Sequence, residues 1–315
     1  MHKIKRCFLW FFIALVVLVL SGEVLARYGL GLGDPPLYVS DSKIEYMLKP
    51  NQDLYRFGNH YIVNQYGMRS KQFEPKKDNE IRVLLFGDSV LNGGSLTDHN
   101  ELATTLLENR LNEIYNEYVV VGNVSAGSWG PGNWLTYADK YGFFDADIVI
   151  LVISSHDYID NPTFDQLGVN QPIEQPISAL LEGVNRYFLP RYFSPTPAEK
   201  NKKEHNSLNQ RKEALGNLRQ FLKKAKNNSD SVMVFQHWER VETVNNSVMI
   251  GNKLIGEICA DVDVPVVSMG PAFKKAMHNN KQPYRDAIHP STLGQRLIFE
   301  TILKNLPDLG QKDTH

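Results

Sequence analysis

Cysteine is nearly absent: Cys7 and Cys259 are the only two in 315 residues. Because Cys7 lies in an apolar N-terminal run, a mature domain has no intramolecular disulfide to frame it, and no cysteine set with zinc-ligand spacing exists. Cys259 shares an apolar helical face with Ile255 and Ile258 and reads as a buried, inert thiol. Charge of one sign is lacking as well. Lys and Arg total 34 against 35 Asp and Glu, a net charge of −1, so no basic field points to nucleic acid. His60, His99, His205 and His278 show no metal-ligand spacing, and Asn92-Gly93-Gly94 lacks the lysine of a phosphate-binding loop. Neither a metal, a cofactor nor a nucleic-acid partner is expected, and no internal repeat is present.

Long hydrophobic runs are also missing, with one exception. After the basic His2-Lys3-Ile4-Lys5-Arg6, the stretch Cys7 to Leu20 is apolar for 14 residues. A span usually takes about 20 apolar residues, and Val24-Leu25-Ala26 offers a small-residue cleavage site of the kind that ends a signal peptide. Both readings carry the rest of the chain out of the cytoplasm, with the basic end left inside. Ser21 and Gly22 extend the apolar length, which favours an uncleaved anchor over residues 1–26. Residues 27–79, with Gly29, Gly31, Gly33, Pro35, Pro36 and Pro50, read as a tether and a small N-terminal extension.

From Ile81 onwards short β-branched runs alternate with amphipathic stretches. Strands are predicted at Arg82–Phe86, Tyr118–Val121, Ile148–Ile153, Val232–Gln236 and Val264–Ser268. Helices are predicted at Glu101–Tyr115, Leu208–Lys226, Val248–Ala260 and Thr292–Asn305; in the first, Leu102, Leu106, Leu107, Leu111 and Ile114 recur at helical spacing. Strands separated by helices of this length imply right-handed βαβ units and a parallel sheet of about five strands covered on both faces. This domain would occupy residues 80–308, with a tail over 309–315. A long insertion, residues 159–206, holds six prolines, the aromatic and basic run Arg186 to Phe193 and the charged stretch Glu199 to Glu204. Its aromatics would form a sugar-stacking wall or a membrane-facing rim, or else anchor the insertion to the domain.

The chemistry is carried by polar residues at the strand ends. Gly87-Asp88-Ser89 directly follows Val83-Leu84-Leu85-Phe86, and Asp286-Ala287-Ile288-His289 lies just before the last helix. Gly-Asp-Ser alone is an ordinary turn composition. Together, however, the two segments supply a hydroxyl, a base and a group that orients the base, which is what a serine nucleophile needs. Ser89, the stretch Asn123 to Ser128, Ser154 to Asp157, His237 and Asp286 to His289 would meet at one rim of the sheet.

These blocks resemble the SGNH, or GDSL, hydrolases. Gly87-Asp88-Ser89-Val90 matches their first block and Asp286 to His289 their last; Asn123-Val124-Ser125-Ala126-Gly127-Ser128-Trp129-Gly130 and Ser154-Ser155-His156-Asp157 correspond to the two between. A stretch resembling the hairpin of membrane-anchored relatives in bacterial envelope and exopolysaccharide systems precedes them at Tyr61 to Arg69. The resemblance implies a flavodoxin-like three-layer α/β/α fold with Ser89, Asp286 and His289 catalytic. It also implies an oxyanion hole built from the N–H of Ser89 and that of Ser128, with Gly127 one position earlier as the alternative. The family's asparagine in the third block is replaced by His156, whose neutral ring would donate one N–H to the oxyanion. Asn92, Trp129, His237 and Trp238 are further candidates for substrate contact, His237 and Trp238 equally for a structural role at a strand end. The implied function is an exported serine esterase acting on acyl, above all acetyl, esters of glycan or lipid. Its partners would be the membrane and polysaccharide-assembly proteins. A polysaccharide O-acyltransferase with the same triad, and a non-catalytic glycan or assembly protein on this scaffold, stand beside it.

Overall fold

The computed structural model describes residues 2–115, 118–189 and 207–307. The N-terminal apolar run forms α1 (His2–Val24), which continues as a π-helical turn over Leu25–Gly29. Two antiparallel hairpins follow, β1 (Tyr38–Asp41) with β2 (Glu45–Leu48) and β3 (Gln52–Arg56) with β4 (Asn59–Val63). The β3–β4 turn has φ of 53° at Phe57 and 78° at Gly58, the doubly left-handed conformation that matches the twist of a tight hairpin. The hairpin thus lies earlier than the stretch Tyr61 to Arg69. Only Tyr61–Val63 belong to it, and beyond them the Asn64 carboxamide folds the chain by accepting the N–H groups of Tyr66 and Met68.

The main sheet consists of β5 (Glu80–Gly87), β6 (Tyr118–Ser125), β7 (Ile148–Ser154), β8 (Ser231–His237) and β9 (Val266–Ser268), all parallel in the order β6-β5-β7-β8-β9. This is the flavodoxin-like order. Its β5 and β7 are buried along their whole length, which is why they read as continuous apolar runs rather than alternating ones.

Side chains of successive strand residues go to opposite faces and build two separate cores. Leu84, Phe86, Val149, Leu151 and Ile153 pack on one side against α4 (Pro131–Tyr141), α6 (Ser207–Lys226) and α8 (Ile250–Asp261). Val83, Leu85, Ile148, Ile150 and Val152 pack on the other against α3 (Ala103–Ile114), α9 (Gly270–His278) and α10 (Thr292–Asn305). Three short α-helices are also present among the described residues: α2 (Ser89–Asn92), α5 (Ala179–Glu182) and α7 (Arg240–Asn245). The helices α4 and α9 begin at Gly130-Pro131 and Gly270-Pro271. Gly-Pro reads as a breaker in sequence, yet proline at the first helical turn loses no hydrogen bond.

The segment after α1 is fixed rather than a free tether. Leu32 N–H bonds Ala26 O at 3.0 Å, Phe57 N–H bonds Leu30 O at 3.1 Å, and Gly33 N–H reaches the Glu182 carboxylate at 2.6 Å. Of the long insertion, the aromatic run is described only as far as Leu189, and its remainder, with the charged stretch Glu199 to Glu204, lies outside the described residues.

In α8, a Cβ at Gly251 would collide with the backbone carbonyl of Ser155, whereas at Gly256 the nearest atom would be Gln236 Nε2 at 3.8 Å. Gly251→Ala is expected to destabilise the protein by at least about 2 kcal/mol through overpacking. Gly256→Ala is expected to be neutral or stabilising by up to about 1 kcal/mol. Denaturant unfolding of the two variants measures the contrast.

Candidate active site

The site begins where β5 ends. Gly87 sits so close to its neighbours that a Cβ would lie 2.8 Å from Leu91 Cβ and 3.2 Å from Val152 O, and Trp134 Nε1 donates to its carbonyl at 2.9 Å. Asp88 caps α2 by accepting the Val90 N–H at 2.8 Å, and Gly93, at φ 73°, ends the helix after one turn. Ser89 is thereby raised at the first position of α2. From α10, Gln295 ties the far side of this turn down, donating to Val90 O at 2.7 Å and accepting the Ala103 N–H at 3.0 Å.

Asp286 to His289 arrives opposite. Asp286 Oδ1 accepts the N–H groups of Ile288 and His289 at 2.9 and 2.7 Å, while Oδ2 accepts from His289 Nδ1 at 2.7 Å. His289 Nε2 lies 3.0 Å from Ser89 Oγ. The structure thus brings Ser89, His289 and Asp286 into one hydrogen-bonded row. Burial raises the Asp286 pKa, but the two N–H groups and the His289 ring outweigh it and hold the carboxyl below its ordinary range. It stays ionised at neutral pH.

Three residues brace this loop. Arg285 Nη1 donates to Gly93 O at 2.9 Å and Arg240 N–H to Ala287 O at 2.9 Å. His237 Nε2 donates to Ile288 O at 2.9 Å. Burial pushes the His237 pKa down to about 4, so the ring is neutral and holds the loop from beneath. His237 is fully enclosed and makes no surface for substrate, which corrects the expected substrate contact and leaves the structural role at a strand end. The same correction applies to two others. Asn92 is buried, its amide donating to Ser125 O at 3.0 Å and its carbonyl accepting from Tyr61 Oη and Gly94 N–H. Trp129 is buried, with Nε1 donating to Tyr46 O at 2.9 Å. Trp238 is half-buried against Gly270.

On the β6 side, Asn123 belongs to the interior, its amide bonding Leu91 O and Thr104 Oγ1. The left-handed position that glycine would normally fill is occupied by Ser128, at φ 60°, while Gly127 O accepts from Tyr46 Oη. Among the described residues nothing accepts the backbone N–H of Ser89, Gly127 or Ser128. A polar groove of about 360 Å³ opens at Ser128, lined also by Glu45, Tyr46, Asp160, Gln166 and Gln171.

His156 differs from the sequence expectation. Its Nε2 faces Asp88 Oδ2 at 3.2 Å and Asp157 Oδ1 at 3.6 Å, and its Nδ1 faces Glu239 Oε1 at 3.2 Å. Burial lowers the ring's pKa, but Asp157, Asp88 and Glu239 overcome this and push it up to about 12. The ring is an imidazolium with both N–H groups spent on carboxylates, not a neutral donor to an oxyanion. Asp157, buried and close to the Asp88 charge, is itself raised well above its ordinary value. Donor atoms of Asp88, His156 and Asp157 come within 4.8 Å of one another, a spacing that suits a metal ion. Asp88 and Glu239 escaped the sequence reading because a capping residue and a post-strand acid look like ordinary surface polarity. Only the fold shows them meeting at His156.

The charge on His156 adds stability that is fully present below its free value of 6.5 and is lost as pH rises through about 12. Ring ¹⁵N chemical shifts of His156 are therefore expected to remain those of an imidazolium at pH 9, where a free histidine is neutral; neutral-ring shifts at that pH would refute the arrangement.

A family model described as GDSL-like lipase/acylhydrolase matches residues 85–297. No curated protein matches the chain in sequence. Solved structures of similar fold include a member of the lipolytic protein G-D-S-L family from Veillonella parvula, with TM-score 0.45 and 9% identity, covering 71% of this chain and 97% of that one. An acetylxylan esterase from Geobacillus stearothermophilus has TM-score 0.45 and 14% identity over 74% of this chain and 95% of its own. An α/β hydrolase from the metagenome of Lake Arreo, Spain, has TM-score 0.45 and 14% identity over 71% and 94%. The family match runs from the strand before Ser89 to the helix after His289 and takes in more than half of the chain; the protein is an ester-hydrolysing member of the GDSL-like lipase/acylhydrolase family.

Proposed function

We propose that the protein is an exported serine esterase that removes acyl groups, acetyl foremost, from an envelope or extracellular polysaccharide through an acyl-Ser89 intermediate. The observation that carries this reading is the unbroken row from Asp286 through His289 to Ser89 Oγ. His289 Nε2 takes the Ser89 proton as Oγ bonds to the ester carbon. Asp286 keeps Nδ1 protonated and steadies the imidazolium that forms. The free N–H groups of Ser89 and Ser128 receive the negative oxygen of the tetrahedral intermediate. His289 then returns its proton to the departing alkoxide as the ester C–O bond breaks, and water, deprotonated in turn by His289, releases the acid and restores Ser89.

The groove at Ser128 supports a hydroxyl-rich carrier rather than an acyl-chain lipid, since its lining is dominated by carboxylate, amide and hydroxyl groups. The apolar run of α1 from Cys7, preceded by Lys3, Lys5 and Arg6, serves in this reading as a single-pass anchor with the catalytic domain on the outer side of the inner membrane.

Hydrolysis of p-nitrophenyl acetate by the full chain is expected to fall by a factor on the order of 10⁴ in Ser89→Ala, and comparably in His289→Ala. A fluorophosphonate should label the wild type and not Ser89→Ala. Turnover that survives both substitutions would remove the triad assignment.

A further inference from the structure

The helical segment Ala179–Leu189, formed by α5 and the π-helical turns after it, has its polarity reversed for a water-exposed surface. Inward it presents Ala179, 0% exposed, and the carboxylate of Glu182, 8% exposed; outward it presents Leu181 at 53%, Val184 at 43% and Phe188 at 56%, with Ile177 at 96% just before it. A surface helix in water shows the opposite arrangement. Glu182 is kept inside by a buried ion pair with Arg56, by the Gly33 N–H at 2.6 Å and by Arg186 at 3.5 Å. The apolar face is therefore turned outward by a built polar interior, not left out for want of space.

The segment is also joined directly to the end of α1. The Glu23 carboxylate accepts the N–H groups of Ala179 and Leu180 at 2.8 and 3.0 Å and the Ser178 hydroxyl at 2.8 Å. One residue of α1 thus caps another helix, satisfying donors that a helix start leaves open. Arg27 holds Glu23 at 2.7 Å and reaches Ile177 O at 3.3 Å, and Leu180 packs at the level of Gly22. Ala26, in the stretch that reads as a cleavage site, is 4% exposed in a cluster with Leu32 and Ala179. Before this junction residues 4–21 of α1 are exposed, and an 18-residue window of the helix has a mean hydropathy of 2.5.

We propose that Ile177–Leu189 lies in the boundary between headgroups and acyl chains of the bilayer that α1 crosses, with Leu181, Val184 and Phe188 among the lipids. The inference rests on the anchoring part of the proposed function. Lipid is the occupant because the segment is bonded directly to the end of the apolar α1, where Val24, Leu25 and the 86%-exposed Tyr28 are also turned outward, and an apolar helix face beside a span at interface depth is what monotopic helices offer. Two joined contacts then hold the catalytic domain on the membrane in one orientation. The same junction keeps α1 in the mature protein, since removal up to Ala26 would uncap α5 and empty the Ala26 cluster.

The test uses the full chain in phosphatidylcholine/phosphatidylglycerol nanodiscs. In a Cys7→Ser, Cys259→Ala background, single substitutions Leu181→Cys, Val184→Cys and Phe188→Cys are labelled with bimane, with Lys223→Cys on the exposed face of α6 as the aqueous control. Retained p-nitrophenyl acetate hydrolysis certifies each fold. Nitroxide lipids are expected to quench the first three probes severalfold more than the control, and iodide severalfold less. Iodide quenching equal to that of the control would overturn the placement while leaving the anchor intact. Loss of the labelled chain from the nanodisc would overturn the anchor itself, and the placement with it.

Discussion

Parallel pairing across the switch point sets the geometry of everything else. β5 pairs with β6 on one side and β7 on the other, so Gly87 lies level with Ser125 and Phe86 with Leu151. Strands that run in one direction end at one edge, and at the switch point the connections leave toward opposite layers, opening a crevice between them. The nucleophile turn follows β5, the Ser128 turn follows β6 and the His156 turn follows β7. None of these segments has to be brought to the others by a special device. Sheet register delivers them, and the loop before α10 adds the base.

Behind the reacting row lies a charge balance. Asp88 is 1% exposed, Asp157 is fully buried, and Glu239 and His156 are mostly covered. Carboxylates gathered in so little solvent repel one another unless a cation is placed among them. His156 supplies that cation from the turn after β7 and links it both to the turn that presents Ser89 and to the turn after β8. The exchange of the family's asparagine for histidine is therefore a change of job. In the proposed mechanism, an amide aimed at the substrate oxygen is replaced by a charged strut beside Asp88, and the anionic intermediate falls to backbone N–H groups.

Much of this was legible in the amino-acid order because it is local. β5 and β7 announce themselves as apolar runs, the first and last motifs are contiguous, and the four long helices carry plain apolar periodicity. What escaped depends on contacts between segments far apart. Asn92 and Trp129 look available in sequence because polar and aromatic residues beside a nucleophile turn suit substrate; the hydrogen bonds that occupy them come from Tyr61, Ser125 and Tyr46 on other elements. His237 looked like a rim residue, yet its ring turns under the loop to meet Ile288 O. Residues 27–33, the start of the stretch 27–79 that looked like a tether and small extension, look free because their glycines permit it. The carboxylate that pins them, Glu182, sits about 150 positions downstream and carries no local sign of its partner.

The span between Ser89 and His289 has a bearing on how the molecule comes into being. These residues are 200 positions apart, and the Gln295 bond to Val90 O spans 205. During synthesis from the N-terminal end, the Ser89 turn emerges with the first third of the chain, while His289 and the helix that braces the turn arrive among the last few dozen residues. Closing so long a loop is slow relative to forming the helices themselves. Ser89 therefore lacks its His289 partner through most of synthesis, and the row from Asp286 through His289 to Ser89 is among the last parts of the fold to assemble.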